Sequence, residues 1–346
     1  LAALQRVHAL TGTTAGKRLL AIYPLGLRAW HVVWFTDKIR LTLIFEDAQT
    51  ALPKLDAKVD VFYLDGFKPS QNPELFNQFI FEGMRRLAQP GASASTYSVA
   101  GVVKQGLRAA GFKIEKRQGW GRKRELLFAE APGNWRGQRL RRPSVQIIGA
   151  GIAGQSLAGS LNRFNIQPII LADPSHPGAS SQPALNIYPQ LSLQRDRQSE
   201  FSIAGCYFAL HNQKGVQHRP LRWRSATPAK LQRMQRLCQL FPDDYLEQVG
   251  RDVIYHQAGI WQSLALAGLR DANVCQMIPS EGQMQLCNAA GHPLSKADVT
   301  MLAAGAGMHS LTSLALKNVR GQSIRIQSKH ALPEFLTGDI NITHLG

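Results

Sequence analysis

The chain has 346 residues, of which 40 are Lys or Arg, 23 are Asp or Glu and 44% are hydrophobic. This balance excludes a disordered chain, a collagen-like repeat and a small disulfide-stabilised scaffold. The length is enough for two domains, each with a hydrophobic core. The net charge of +17 favours a polyanionic partner, nucleic acid first and an acidic membrane surface second, because cationic side chains against phosphates release condensed counterions.

The four cysteines lie too far apart for a zinc or redox motif and are too sparse for a secreted disulfide framework. They favour reduced thiols in the cytoplasm, and the sequence predicts no metal site. No apolar run reaches the roughly 18 residues of a membrane span, and the N-terminal segment lacks the pattern of an export signal. Because the first residue is Leu1 rather than Met, we expect the sequence to be a fragment.

The first half of the chain alternates short apolar, β-branched runs with helical spacings of apolar residues. The predicted strands are 39–45, 59–64, 93–97, 112–116 and 125–129, and the predicted helices are 75–87 and 99–110. The stop signals are Gln89-Pro90-Gly91 after the first helix and Gly111 after the second. This alternation predicts an α/β sheet.

The second half begins with a glycine-rich motif. The segment Gly149-Ala-Gly-Ile-Ala-Gly154 follows the apolar run 145–148, opens a helical segment and precedes a strand that ends at Asp173. In this context the spacing is typical of a dinucleotide-binding turn, in which a pyrophosphate lies against the helix N-terminus. Asp173 would accept hydrogen bonds from an unphosphorylated ribose, which favours FAD or NAD over NADP. The alternative is a glycine-rich turn that binds nothing.

A carboxylate, a glycine and an aromatic ring follow the run 59–64 in Leu64-Asp-Gly-Phe67. Open α/β sheets bind ligands at the carboxyl ends of their strands, and Phe67 offers a π-face to a base or a sulfonium cation. The opposite interpretation, in which Asp65 begins a turn and Phe67 fills the core, is equally supported because Asp-Gly is common in turns.

Several ordered motifs resemble the MnmC family, whose members fuse a tRNA methyltransferase to an FAD-dependent oxidoreductase. The motifs are residues 64–73, 81–91, 119–125, 178–189, 299–307 and 319–322. The resemblance implies an α/β fold with a partial class I methyltransferase-like sheet over 1–131 and a basic linker over 132–143. Over 144–346 it implies a Rossmann-type FAD-binding domain of the amine/D-amino-acid oxidase type with an inserted substrate region. For residues 301–306, a buried strand without a cofactor contact is the alternative.

The resemblance also implies roles for individual residues. Asp65 would be the active-site carboxylate, Phe67 its aromatic neighbour, and Asp47 a residue near the adenine of S-adenosylmethionine (SAM). The residues expected to contact FAD are Gly149, Gly151, Ile152, Ala153, Gly154, Asp173, Ser180, Tyr188, Pro189 and Gly305. Arg320 is a candidate substrate anchor by its charge and position. Three residues stand where the family usually has Gly, Asn and Gly, namely Ser181, Gln182 and Leu185. A side chain at a positive φ there would be strained.

A basic cluster spans residues 113–142, with ten Lys and Arg against three Glu, and it includes Trp120 and Trp135. Such a cluster can bind phosphates beside a base-stacking surface. The residues predicted to contact nucleic acid are Lys116, Arg117, Arg122, Lys123 and Arg124. A solvated charge run with no ligand is the alternative.

The function implied by the resemblance is modification of the tRNA wobble uridine. FAD-dependent oxidation would remove the carboxymethyl group from 5-carboxymethylaminomethyl-(2-thio)uridine, and SAM-dependent methylation of the exposed amine would follow. We expect a cytoplasmic monomer with tRNA as its partner and no membrane. The glycine-rich SAM loop of such methyltransferases is not found before Asp47, and the family's FAD domain continues beyond the position that matches Gly346, so the resemblance implies truncation at both ends. A free-standing FAD-dependent amine or amino-acid oxidase and an inactive tRNA-binding remnant remain as alternatives.

Overall fold

A computed structural model describes residues 12–24, 29–36, 38–119, 121, 124–134, 141–176, 178–194, 196–225, 227–317 and 335–338. The chain divides into two compact units. Unit 1 consists of Leu1–Leu43 with Arg141–Gly346, and unit 2 is Ile44–Leu140. Unit 2 therefore interrupts unit 1 along the sequence, and the return to unit 1 falls within the segment predicted as a linker. The domain boundaries at 131 and 144 stay predictions.

The N-terminal part of the described chain is a helix followed by a hairpin. Its elements are α1 (Thr14–Ala21), β1 (Ala29–Trp34) and β2 (Arg40–Phe45). The hydroxyl of Thr13 caps α1 by accepting a hydrogen bond from the Gly16 N–H at 3.0 Å. β1 pairs with β2, which confirms the strand predicted over 39–45.

Unit 2 is built on a four-stranded sheet. Its elements are α2 (Ala48–Ala51), β3 (Val59–Tyr63), α3 (Gln78–Leu87), β4 (Ala88–Thr96), α4 (Gly101–Ala109), β5 (Lys113–Gln118) and β6 (Glu125–Glu130). The strand order is β3-β4-β6-β5, in which β3 and β4 are parallel and β6 is antiparallel to both of its neighbours. Every strand and helix predicted over residues 59–130 is present. Strand β4 begins at Ala88 rather than at the predicted residue 93, so the predicted stop signal Gln89-Pro90-Gly91 lies within this strand.

The core of unit 2 lies between the sheet and helices α3 and α4. Phe81, Leu107 and Leu127 are almost fully buried there. Helix α3 begins at Gln78 rather than at the predicted residue 75, because the side chain of Asn77 caps it by accepting a hydrogen bond from the Ile80 N–H at 3.1 Å. The apolar spacing of α3 therefore directs one face into the core.

The second part of unit 1 is mostly β-structure. Its elements are β7 (Val145–Ile148), α5 (Ile152–Arg163), β8 (Ile169–Ala172), β9 (Leu185–Ile187), α6 (Arg197–Asn212), β10 (Val216–His218), β11 (Leu221–Arg224), α7 (Pro228–Cys238), β12 (Leu246–Val249), β13 (Asp252–Tyr255), β14 (Gly259–Trp261), β15 (Leu269–Asp271), β16 (Gln276–Ser280), β17 (Gln283–Cys287), β18 (Pro293–Ala297), β19 (Val299–Leu302), α8 (Met308–Leu311) and β20 (Phe335–Gly338).

The strands of this part form four sheets. The sheet that carries the glycine-rich turn is fully parallel, in the order β15-β8-β7-β19. The other three have the orders β10-β14-β9, β12-β13-β11-β20 and β16-β17-β18. A strand, turn, helix and neighbouring parallel strand make the first part of a Rossmann-type unit. The chain thus combines a partial methyltransferase-like sheet with a Rossmann-type domain, as predicted.

The largest core cluster of unit 1 packs helix α7 against the sheet β12-β13-β11-β20. Leu221, Leu237, Leu246 and Val253 are fully buried in it. Helix α7 and the strands β11, β12 and β13 of this sheet lie in the region whose sequence patterns are weakest, between residues 191 and 298. They form the walls of a cavity described below.

The remaining findings concern the cysteine thiols, metal binding and membrane-spanning helices. All four cysteines are free thiols, and burial raises the pKa of the Cys206 thiol to about 12. Among the described residues, no group of His, Cys, Asp or Glu could hold a metal ion. No helix in the described ranges is both long and apolar enough to cross a membrane.

Candidate functional site

The glycine-rich turn of unit 1 is held by close backbone contacts. Gly149 has a φ of +108°, and a Cβ atom on it would lie 2.2 Å from the carbonyl oxygen of Ala303. A Cβ atom on Gly154 would lie 1.9 Å from the carbonyl oxygen of Gly149. Real side chains do not tolerate such distances, so both positions require glycine. The backbone of the glycine-rich turn therefore packs directly against the first helical turn of α5 and against the residues after β19.

The side chain of Ser180 lies against the N-terminus of helix α5. Its Oγ accepts a hydrogen bond from the Ile152 N–H at 3.0 Å, and it would lie 3.1 Å from a Cβ atom on Gly151. Ala153, in the first helical turn, is exposed. The positive end of the twelve-residue helix is thus lined by a hydroxyl and by exposed backbone, which suits a pyrophosphate.

Asp173 follows strand β8, at the same edge of the parallel sheet. One carboxylate oxygen accepts hydrogen bonds from the Ser175 N–H at 2.9 Å and the Ser175 hydroxyl at 2.5 Å. The other lies 2.8 Å from Nδ1 of His176. Hydrogen bonds from Ser175 and then His176 lower the pKa of Asp173, so it is ionised at neutral pH. A carboxylate accepts about four hydrogen bonds, so capacity remains for a ribose hydroxyl.

These residues fit a dinucleotide such as FAD. The helix N-terminus, Ser180 and Asp173 supply a place for the phosphates and the ribose. Gly305, with a φ of +54° and an exposed position, follows β19 at this edge. Ser181, Gln182 and Leu185 are not among the described residues with positive φ, so the departures from the family pattern carry no backbone strain.

Tyr188 and Pro189 lie where the chain leaves the short strand β9. Pro189 is buried and Tyr188 is half-buried. Both line a cavity of about 460 Å³ whose other walls come from α6, α7, β11 and β13. A direct contact of these two residues with FAD stays a prediction.

The second candidate site is an edge of the sheet in unit 2. Strands β3 and β4 run parallel with Tyr63 opposite Ser95, and the Leu64 N–H donates to the carbonyl oxygen of Ser95 at 2.9 Å. Both strands therefore end at the same edge. Asp65 is exposed there, and the side chain of Phe67 is 78% exposed. This exposure argues against Phe67 as a core residue and leaves both side chains accessible to a ligand.

Asp47 follows strand β2 and caps the short helix α2. Its Oδ1 accepts a hydrogen bond from the Gln49 N–H at 2.8 Å, and the residue is exposed. Capping accounts for one carboxylate oxygen and leaves the other accessible. Its role near the SAM adenine stays a prediction.

Two of the predicted nucleic-acid contacts form ion pairs within the β5–β6 hairpin. Lys116 Nζ lies 2.8 Å from Glu125, and Arg117 Nε lies 2.9 Å from Glu115. The guanidinium of Arg117 also lies 3.5 Å from the centroid of the Phe128 ring. Exposed pairs of this kind are weak, so a phosphate could displace the carboxylates. Arg124 is exposed, whereas Arg122 and Lys123 lie outside the described residues, as does Arg320.

Sequence patterns missed several residues at these two edges. Ser175 and His176 hold the Asp173 carboxylate, and Tyr97, which is 52% exposed, follows β4 beside the Asp65 edge. Asp-Pro-Ser-His directly after a strand, and an aromatic residue at the end of the predicted strand 93–97, are the patterns that could have indicated them.

Sequence comparisons match both parts of the chain to known proteins. Residues 11–132 match the family model of an S-adenosyl-L-methionine-dependent methyltransferase. The tRNA 5-methylaminomethyl-2-thiouridine biosynthesis bifunctional protein MnmC of Ralstonia nicotianae is 31% identical over 376 residues, which cover 93% of this chain and 57% of that protein. The present chain is therefore a relative of MnmC proteins. MnmC of Azoarcus sp. is 41% identical over 177 residues, which cover 49% of this chain and 28% of that protein.

The chain spans about half the length of the MnmC relatives it matches. A solved structure, MNMC2 from Aquifex aeolicus, is 24% identical and covers 34% of this chain and 37% of that one. Its TM-score of 0.30 is too low to argue the fold from it. The fold described above therefore depends on the topology of this chain itself.

Proposed function

We propose that this chain modifies the wobble uridine of tRNA in two steps. Unit 1 would remove the carboxymethyl group of 5-carboxymethylaminomethyl-(2-thio)uridine with FAD, and unit 2 would methylate the exposed 5-aminomethyl group with SAM. The observation that carries the proposal is similarity to bifunctional MnmC proteins over 93% of the chain, including both candidate sites. Because its substrate is a tRNA, the protein would act in the cytoplasm, and we propose that it is a monomer.

In unit 1, the chain supplies binding and orientation. The N-terminus of α5 with Ser180 would hold the FAD pyrophosphate, and the ionised Asp173 would accept the ribose hydroxyls. When bound, FAD would accept a hydride from the carboxymethyl carbon next to the amine nitrogen, and water would then hydrolyse the resulting imine, which breaks the C–N bond and releases the carboxymethyl group as glyoxylate. The protein residues place that carbon and exclude competing reactions.

In unit 2, Asp65 is the group suited to the methyl transfer. An amine attacks a sulfonium methyl group only when it is unprotonated and in line with the bond that breaks. An exposed carboxylate at the sheet edge can accept a hydrogen bond from the amine, orient it and receive its proton. Phe67 offers its ring face to the uracil base or to the sulfonium.

The test uses the chain supplemented with FAD and tRNA that carries 5-carboxymethylaminomethyluridine, with nucleosides measured by mass spectrometry with and without SAM. We expect loss of the carboxymethyl group without SAM and a methylated product with it. Asp65→Ala should abolish methylation and leave the oxidation intact. Normal methylated product from Asp65→Ala would contradict its role, and an unchanged nucleoside from a flavin-bound chain would refute the oxidation.

The same assay separates the alternative functions. Flavin reduction by free amino acids but not by tRNA would favour a free-standing amine oxidase. Retained tRNA affinity in a folded chain that binds no flavin would favour an inactive tRNA-binding remnant. The visible absorbance of bound flavin, released on denaturation, is therefore the first measurement.

A further inference from the structure

The cavity beside Tyr188 has the size and the walls of a small-molecule site. Its volume of about 460 Å³ lies within the roughly 300–1,000 Å³ typical of such sites. Aromatic and apolar side chains form its inner part. Tyr188 and Tyr255 meet edge to face with ring centroids 5.6 Å apart, and Trp223 and Met234, both buried, complete this wall. A planar ring can pack against these surfaces.

The outer part of the cavity is polar and carries two cationic side chains. Lys230 and Arg233 lie three residues apart, and therefore on the same face of helix α7. The guanidinium of Arg233 donates a hydrogen bond to the carbonyl oxygen of Leu191 at 2.7 Å. This bond uses one of its five N–H groups and fixes its position, so donors remain for an anion.

The acidic group in the lining is already engaged. The Asp196 carboxylate caps helix α6 by accepting a hydrogen bond from the Ser199 N–H at 2.8 Å. Bonds from Ser199 and then Ser192 lower its pKa, so it stays ionised in this role. Burial raises the pKa of Tyr255, and its neutral hydroxyl donates a hydrogen bond to Sδ of Met234 at 3.9 Å. Because the lining carboxylate is engaged in capping and the Arg233 guanidinium keeps N–H donors beyond its bond to Leu191, the cavity favours an anionic ligand.

We propose that this cavity binds a pyrimidine base that carries an anionic substituent, with Arg233 as the positioning residue for the anion. The ring would lie between Tyr188 and Trp223, and the carboxylate would take two N–H groups of the guanidinium. The inference rests on the proposed function, because the carboxymethylaminomethyl group of the uridine supplies such a carboxylate. Tyr188 belongs to the segment 178–189 that is predicted to contact FAD, which places the cavity next to the predicted oxidative site in sequence.

The test measures binding of two probes to the whole chain by calorimetry and by tryptophan fluorescence. One probe is 5-carboxymethylaminomethyluridine and the other is its methyl ester, which lacks the negative charge. We expect Arg233→Met to weaken the carboxylate probe about 10- to 100-fold and to leave the ester within about 2-fold. Arg233→Lys, which keeps a charge and one donor, should give an intermediate loss. Fluorescence quenching by the probe should disappear in Trp223→Phe.

The matched control is Arg236→Met, an exposed cation on the same helix that does not line the cavity. It should change neither affinity. Any of three results would overturn the assignment. Arg233→Met could weaken the binding of the acid and of the ester equally, Arg236→Met could weaken binding as much as Arg233→Met does, or the folded chain could bind neither probe. Oxidation of the tRNA nucleoside is measured separately. If that activity is present and the charge-dependent loss is absent, the proposed function stands and the cavity assignment falls; the reverse pattern refutes the function and keeps the cavity.

Discussion

Replacement of Gly154 by alanine tests the close approach of helix α5 to the glycine-rich turn. The added Cβ atom would lie 1.9 Å from the carbonyl oxygen of Gly149, so the helix and the turn must separate by about 1.5 Å to reach the 3.4 Å of ordinary contact. The obstacle is backbone, and Gly149 is itself held at a φ of +108°. Overpacking of this kind costs about 1–3 kcal/mol.

The matched control lies one and a half turns further along the same helix. Gly159 is exposed, and a Cβ atom on it meets nothing within 4 Å. Gly159→Ala should stabilise the helix by about 0.5–1 kcal/mol, because glycine loses more backbone entropy on folding than alanine does. The two variants should therefore differ by about 1.5–4 kcal/mol in the free energy of unfolding.

The assay is urea denaturation followed by circular dichroism, with hydrogen exchange of peptides that cover residues 145–163. Gly154→Ala should unfold at lower urea and exchange faster in α5, whereas Gly159→Ala should do neither. Flavin absorbance should fall in Gly154→Ala and persist in Gly159→Ala. Equal stability of the two variants would refute the packing of the turn described here.

Two further predictions concern unit 1. Hydrogen bonds from Arg224 and Arg222 hold the pKa of Asp252 at about 2, below its ordinary value of 3.8. This stabilisation is present above about pH 4 and is lost as the pH falls through 2. Asp252→Asn should therefore lower the free energy of unfolding by about 2 kcal/mol at neutral pH, and in acid the stability of the variant should approach that of the parent chain. Asn212→Ala leaves the Trp34 N–H, now bonded to Asn212 Oδ1 at 3.0 Å, without its acceptor. We expect a loss of about 1–3 kcal/mol in urea denaturation, and an unchanged midpoint would contradict it.

The parts of the fold that sequence predicted are those with a local pattern. The elements over residues 59–130 follow from apolar spacing and stop signals, and each is closed within a few residues by a cap or a turn. The glycine-rich turn connects strand β7 directly to helix α5, so the sequence pattern that predicts it is also local. The pattern around Asp173 is local as well, since this residue directly follows an apolar run, whereas the role predicted for Asp65 depends on the family resemblance.

The parts that sequence could not predict depend on distant contacts. Nothing near Trp34 indicates that its backbone bonds to Asn212, 178 residues away. Trp223 lies on the short strand β11 and Arg233 on helix α7, and both line the cavity with Tyr188 only through tertiary packing. The start of helix α3 was missed by three residues because the Asn77 cap outweighs the apolar spacing.

The interruption of unit 1 by unit 2 has a consequence for synthesis on the ribosome. Unit 2 is continuous in sequence and has all its residues once Leu140 has been added. Strand β1 is made before it, but the Asn212 side chain that accepts from the Trp34 N–H is added 178 residues after Trp34. At about 5–20 residues per second, β1 waits roughly 10–35 s for this partner while unit 2 can already fold. Strand β1 therefore emerges before unit 2 and reaches its contact with Asn212 only after all the residues of unit 2 have been added.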